Sequence, residues 1–190
     1  MIRSRVSAEN LTSDASAFRQ GVTDIVGGIK RIDMAFYFAW GDTKARYRRS
    51  FFGPLWIVLG TAISVAGLGY VWSLLLGDDP SKLVPSLTIG LIVWMFLSGC
   101  ILESSTLFSR NAHFIKNIPM PYSVFPAHLL MRQLINFGHN LLVVVAVFFV
   151  YPQGFGWMQL LFFPGLILVV AHLCWMILLL SVLGVRSRDT

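Results

Sequence analysis

Four stretches of the chain stay apolar for the length of a membrane crossing, and most polar residues gather between them. The runs lie at about 54–76, 84–108, 124–151 and 157–185, and each reaches the ~20 residues that cross a hydrocarbon layer. Ahead of them, apolar positions recur at Val22, Ile25, Ile29, Ile32, Phe36 and Trp40, the spacing of one helical face. Asp24, Gly28, Arg31 and Asp42 fall largely on the other side. The stripe includes the aromatic run MAFYFAW (Met34 to Trp40) and borders the cationic KARYRR (Lys44 to Arg49). It predicts an amphipathic helix over 22–41 lying in the headgroup plane. A soluble core helix is the alternative, but no soluble domain is available for it to pack on. Residues 1–20 read as a polar cytoplasmic tail, and 21–190 as one transmembrane domain.

Composition supports this reading. Hydrophobic residues make up 56% of the chain and charged residues 13%, where soluble domains carry about 25% charged. The expected class is an all-α integral membrane protein: an N-terminal interface helix followed by four transmembrane helices. A net charge of +6 could suggest nucleic acid, but the cations cluster beside the apolar runs, where membrane topology accounts for them. Outside the spans, every lysine and arginine except Lys82 falls before the first run, between the second and third, or after the fourth. The positive-inside bias therefore places the N-terminus, the loop at 110–126 and the C-terminal end in the cytoplasm. Residues 1–33 hold no apolar core, so no signal peptide is expected there. Cys100 and Cys174 lie inside apolar runs without metal-type spacing and read as packing residues.

The exceptions inside the runs are the candidates for chemistry. Arg132 lies about nine residues into the third run, or ~13 Å deep, where a charge must pair, snorkel or face water. Glu103, near the cytoplasmic end of the second run, is the expected partner, pinning helices together or contacting substrate. Arg132, Asn136, His139 and Asn140 are spaced to share one face, beside Gln133. Such a stripe either bonds neighbouring helices or lines a wet path. His172 in the fourth run could meet His139 at similar depth. In the first run, Gly60 with Ser64 and Ala62 with Ala66 predict close packing, within the chain or with a second copy. Trp56, Tyr70 and Trp72 near its ends fit an aromatic belt. No phosphate-binding loop, H-E-x-x-H or G-x-S-x-G occurs. Glu103 is the lone carboxylate within a run, so the paired acids of a membrane hydrolase are missing from the runs.

The order of features resembles a known family. The helix ending in D-T-K-A-R-Y-R-R-S-F-F-G-P-L-W (Asp42 to Trp56) is followed by a span and G-L-I-V-W-M-F-L-S-G (Gly90 to Gly99). Then come F-I-K-N-I-P-M-P (Phe114 to Pro121), L-M-R-Q-L-I-N-F-G-H-N (Leu130 to Asn140) and R-S-R-D (Arg186 to Asp189). Over about Ile29 to the end, this is similar to the transmembrane subunit of ABC type-2 exporters. The closest branch is the one that moves O-antigen, capsule or teichoic-acid polysaccharide.

The resemblance implies a homodimer in the bacterial cytoplasmic (inner) membrane and a separate ABC ATPase subunit that carries ATP and Mg. This chain itself would bind no cofactor or metal, perform no catalysis and engage no nucleic acid. The implied cargo is a lipid-linked polysaccharide, with a smaller cargo such as a drug or lipo-oligosaccharide as the alternative and an ion-coupled transporter as a further one. The family normally has six spans, so the chain is expected to be truncated at its C-terminus. The resemblance also implies a coupling helix at about 111–118, contacting the ATPase through Asn111, His113, Phe114 and Lys116. Pro119 and Pro121 would end it sharply, since each fixes φ and disfavours helix in the residue before it. An ordinary tight turn is the plainer reading of the same residues. Arg46, Arg48 and Arg49 would approach the ATPase and substrate phosphates, and Trp56, Tyr70 and Trp72 become candidates for sugar contact.

Overall fold

A computed structural model describes residues 16, 18–48, 53, 55–118, 120–152 and 156–186. Pro54, Arg49, Pro119, most of the 1–20 tail and the R-S-R-D segment beyond Arg186 lie outside them. Every regular element among the described residues is a helix, as the sequence predicts. They are α1 (18–30), α2 (Ile32–Tyr47), α3 (Leu55–Leu76), α4 (Pro80–Ser104) and α5 (Leu107–Arg110), followed by α6 (Ala112–Asn117), α7 (Val124–Val150), α8 (Trp157–Leu160) and α9 (Phe162–Arg186). Four of these, α3, α4, α7 and α9, are long and apolar enough to cross a membrane. The chain is therefore a multi-pass membrane protein.

Local chemistry moves the helix ends away from the apolar boundaries. The second span begins at Pro80 rather than Val84 because Asp79 caps it, its carboxylate accepting the Ser81 N–H at 2.9 Å. That bond also holds the Asp79 carboxyl below its usual range. The same span stops at Ser104 rather than Phe108. There Ser104, Ser105 and Thr106 turn their hydroxyls back to the carbonyls of Ile101, Leu102 and Glu103, offering the backbone an alternative to continued helix. The fourth span begins at Phe162, after a break at Leu161. Pro164 has no N–H to give Leu160, and its ring would crowd that carbonyl, so α8 cannot run on into α9. In α7, Pro126 falls in the first turn, where proline is tolerated. The interface helix runs beyond 22–41 and breaks at Arg31, which leaves the helical region at φ −114° and ψ 27°.

α7 forms the centre, packed against α2, α3, α4 and α9. Its Leu129, Leu130, Phe137 and Val143 meet Ile92, Phe96 and Cys100 of α4, Val65 of α3, and Leu173 and Ile177 of α9. The Phe96 and Phe137 rings lie 5.1 Å apart. α3 buries a narrow ladder of Thr61, Val65, Gly69 and Ser73. Gly60 and Ser64 face away from the rest of the chain, where a Cβ on Gly60 would touch nothing within 4 Å. Of the two expected packing partners, the chain itself and a second copy, the first is therefore not theirs, while Ala62 packs against the core. On Gly69, by contrast, a Cβ would stand 2.9 Å from Val84. Small residues govern helix approach in lipid because burying apolar surface gains little there. Large apolar side chains such as Trp94, Leu102, Phe149 and Leu168 accordingly stay exposed on the spans.

α9 docks on the α4–α5 turn through Gly184, where an added Cβ would overlap the Ser105 carbonyl oxygen. Gly184→Ala is therefore expected to destabilise the fold by about 1–3 kcal/mol, because a backbone atom cannot swing aside. Gly60→Ala should leave stability unchanged. Thermal unfolding of the two variants in detergent, followed by tryptophan fluorescence, checks both outcomes.

Candidate coupling site

The loop between the second and third spans folds into two short helices. Asn111 separates α5 from α6 in a bridge-region conformation (φ −101°, ψ 11°), and its side chain donates to Leu107 O at 2.8 Å. α6 ends at Ile118, which is extended at φ −125° and ψ 121°, as a residue before proline should be. Ile115 turns inward against the core, while His113, Phe114 and Lys116 face outward. Phe114 is 53% exposed. Asn117 donates to the His113 carbonyl at 2.9 Å, tightening the last turn.

The end of this loop is tied to α1. The Asp24 carboxylate accepts the backbone N–H of Tyr122 at 2.8 Å and of Ser123 at 2.9 Å, and the Ser123 hydroxyl donates to the Asp24 carbonyl at 2.6 Å. These donors stand immediately before α7, at a helix N-terminus where a negative charge is favoured. Gly27 and Gly28 complete the contact. A Cβ on Gly27 would lie 3.2 Å from Pro121 Cγ, and one on Gly28 would overlap the Ser123 side chain.

Above this joint, four elements meet in a network of charges. Arg132 of α7 pairs with Glu103 of α4 and lies 3.7 Å from Asp42 of α2. Glu103 also accepts from Gln133 at 2.9 Å and stands 3.7 Å from Arg110 of α5. His128 Nε2 lies 3.0 Å from Asp42 Oδ2. A Cβ on Gly99 would meet the Gln133 amide at 3.0 Å, so the absence of a side chain there leaves room for it. The network borders a polar cavity of about 140 Å³ that Leu107 and Asn111 also line.

The polar stripe of α7 is divided among neighbours. Asn140 accepts from Thr61 of α3 at 2.8 Å, and Asn136 is half-buried. His139 Nδ1 lies 2.7 Å from the Ile135 carbonyl, and His172 accepts from Trp175 at 3.1 Å. Both histidines are thus held by contacts on their own helices. Among the described residues, no three His, Cys, Asp or Glu side chains gather as a metal site. Trp56, Tyr70 and Trp72 are exposed on α3, with Tyr70 on a groove of about 430 Å³ between α3, α4 and α7. Arg46 and Arg48 are exposed at the end of α2. The sequence gives no local signal for Asp24, His128 or Arg110 as members of a site, because their partners come from other helices.

Breaking the central pair should be costly. Arg132→Ala is expected to lose about 3 kcal/mol, the low end for a buried pair, since Gln133 and Arg110 remain on Glu103. Glu103→Ala combined with Arg132→Ala should recover part of that loss in a double-mutant unfolding cycle. A double variant no more stable than either single change would count against the pairing.

No family model and no solved structure matches the chain. Curated relatives do. The O-antigen export system permease protein RfbA of Klebsiella pneumoniae is 28% identical over 110 residues, covering 58% of this chain and 42% of the relative. The protein of the same name from Myxococcus xanthus is 22% identical over 148 residues, covering 78% of this chain and 57% of the relative. The chain spans about half the length of the curated relatives it matches. By the order of its motifs and by these relatives alike, the chain resembles the permeases of ABC type-2 polysaccharide exporters.

Proposed function

We propose that this chain supplies the membrane-spanning part of an ATP-driven exporter for lipid-linked polysaccharide of the O-antigen kind. It would sit in the bacterial inner membrane with its N-terminus in the cytoplasm and pair with a second copy of itself. ATP and Mg²⁺ would be bound and used by a separate ATPase subunit. The observation that carries the reading is α6. It is a short helix outside the spans, with a phenylalanine and a lysine turned outward and its inner side packed on the core.

Such an element suits the transfer of mechanical work. Nucleotide-driven closure of a partner displaces whatever it grips, and a stiff, well-anchored helix passes that displacement on where a loose loop would absorb it. His113, Phe114 and Lys116 supply the grip, with an aromatic anchor of the kind that dominates interface energies. Arg46 and Arg48, with Arg49 beside them, offer cations to the headgroup plane and to the phosphates of an anionic lipid-linked cargo. Curated relatives named as O-antigen export permeases support the choice of cargo.

Phe114→Ala combined with Lys116→Ala is expected to weaken binding to the ATPase subunit about tenfold or more. Export should fall in step while the amount of protein in the membrane stays unchanged. Co-purification with the ATPase and surface polysaccharide measured in the same cells check both. Unchanged export would overturn the assignment of α6.

A further inference from the structure

We infer that Asp24 is a positioning residue that locks α1 to the joint behind α6, so that the coupling element and the interface helix move as one body. This deepens the reading of α6 as the element gripped by an ATPase, and rests on it. Asp24, Gly27 and Gly28 are spaced i, i+3 and i+4, a single patch on one face of α1. Opposite them lie Pro121, Tyr122 and Ser123, a few residues after α6 ends and immediately before α7 begins. Across this contact run three hydrogen bonds of 2.6–2.9 Å between residues 98 or 99 positions apart. Two of them are carboxylate bonds to backbone N–H groups, which are stronger than neutral ones. The paired glycines sharpen the point. Each costs a helix about 1 kcal/mol against alanine, and here each removes a Cβ that would press on Pro121 or Ser123.

The second half of the device is Asp42. It lies on α2, beyond the Arg31 break, and meets His128 and Arg132 of α7, the latter paired in turn with Glu103 of α4. The interface helices are thus held by carboxylates at both ends. A push on α6 reaches the joint at 120–123, and through Asp24 it is shared with α1 and α2. The ion pairs at Asp42 then receive it one to two turns deeper along α7. Without the Asp24 contact the joint could shift alone and leave α1 behind. Asp24 touches neither cargo nor nucleotide and acts through the joint it holds.

The test uses the full-length permease with its ATPase in proteoliposomes, in a Cys100→Ala, Cys174→Ala background. Spin labels on cysteines at Gln20 of α1 and Ile118 at the end of α6 report the distance between the two elements. A narrow distance that does not change with nucleotide is expected, because the two elements travel together. In Asp24→Ala the distribution should broaden, and export per ATP hydrolysed should fall about fivefold or more, the lower range of coupling between sites. Gly28→Ala should pry the same joint open and move both readouts in the same direction. A distance that stays narrow in Asp24→Ala or in Gly28→Ala, or unchanged export per ATP in either, would overturn the inference. If the unsubstituted protein shows no nucleotide-dependent export, the transporter reading falls instead, and the label distances still decide whether the clamp exists.

Discussion

A guanidinium set into a membrane-spanning helix organises the end of this protein where α2, α4, α5 and α7 meet. Arg132 is only 11% exposed, and at that burial its charge is tolerable only with anions at hand. Neither anion comes from its own helix. Glu103 reaches it from α4 and Asp42 from α2, while Gln133 donates to the other oxygen of Glu103 and Arg110 stands 3.7 Å from the oxygen that Arg132 holds. Satisfying one charge therefore fixes where three other elements stand relative to α7.

Beyond that knot, the bundle is assembled by shape. Lipid solvates apolar side chains about as well as the protein interior does, so little is gained by hiding them. Contact concentrates where backbones can approach: Gly69 beside Val84, Gly99 beside Gln133, Gly184 over the Ser105 carbonyl, and Ala35, Ala39 and Thr43 of α2 against α7. The same reasoning explains α1 and α2. Their wide aliphatic and aromatic face, from Val22 to Trp40, stays exposed, where a headgroup layer can receive it. Their narrow face of small residues carries the packing.

The loop between the second and third spans joins these two kinds of order. Its short helix is held on one side by Ile115 and at its exit by proline geometry and the Asp24 bonds. Its outer side, with His113, Phe114 and Lys116, is exposed. The proposed role in conveying movement needs many restraints toward the body that moves and few toward the solvent, and α6 has that arrangement.

Membrane class and the number of spans were both determined by the sequence alone, because hydrocarbon imposes length and polarity on each segment locally. The Glu103–Arg132 pair was legible for a related reason: a short hairpin brings two deep charges of opposite sign to similar depth. Helix ends were less legible. Asp79 and the hydroxyls of Ser104, Ser105 and Thr106 set them through single hydrogen bonds, and Pro164 through the N–H it lacks, none of which hydropathy registers. Packing faces needed the tertiary structure altogether. Gly60–Ser64 and Thr61–Val65–Gly69–Ser73 are both ladders of small residues at helical spacing, and only the neighbour's position distinguishes them. The Asp24 contact is the extreme case. Its donors lie 98 and 99 residues away, and a carboxylate on a helix carries no mark of which distant N–H groups it will accept until folding has placed them there.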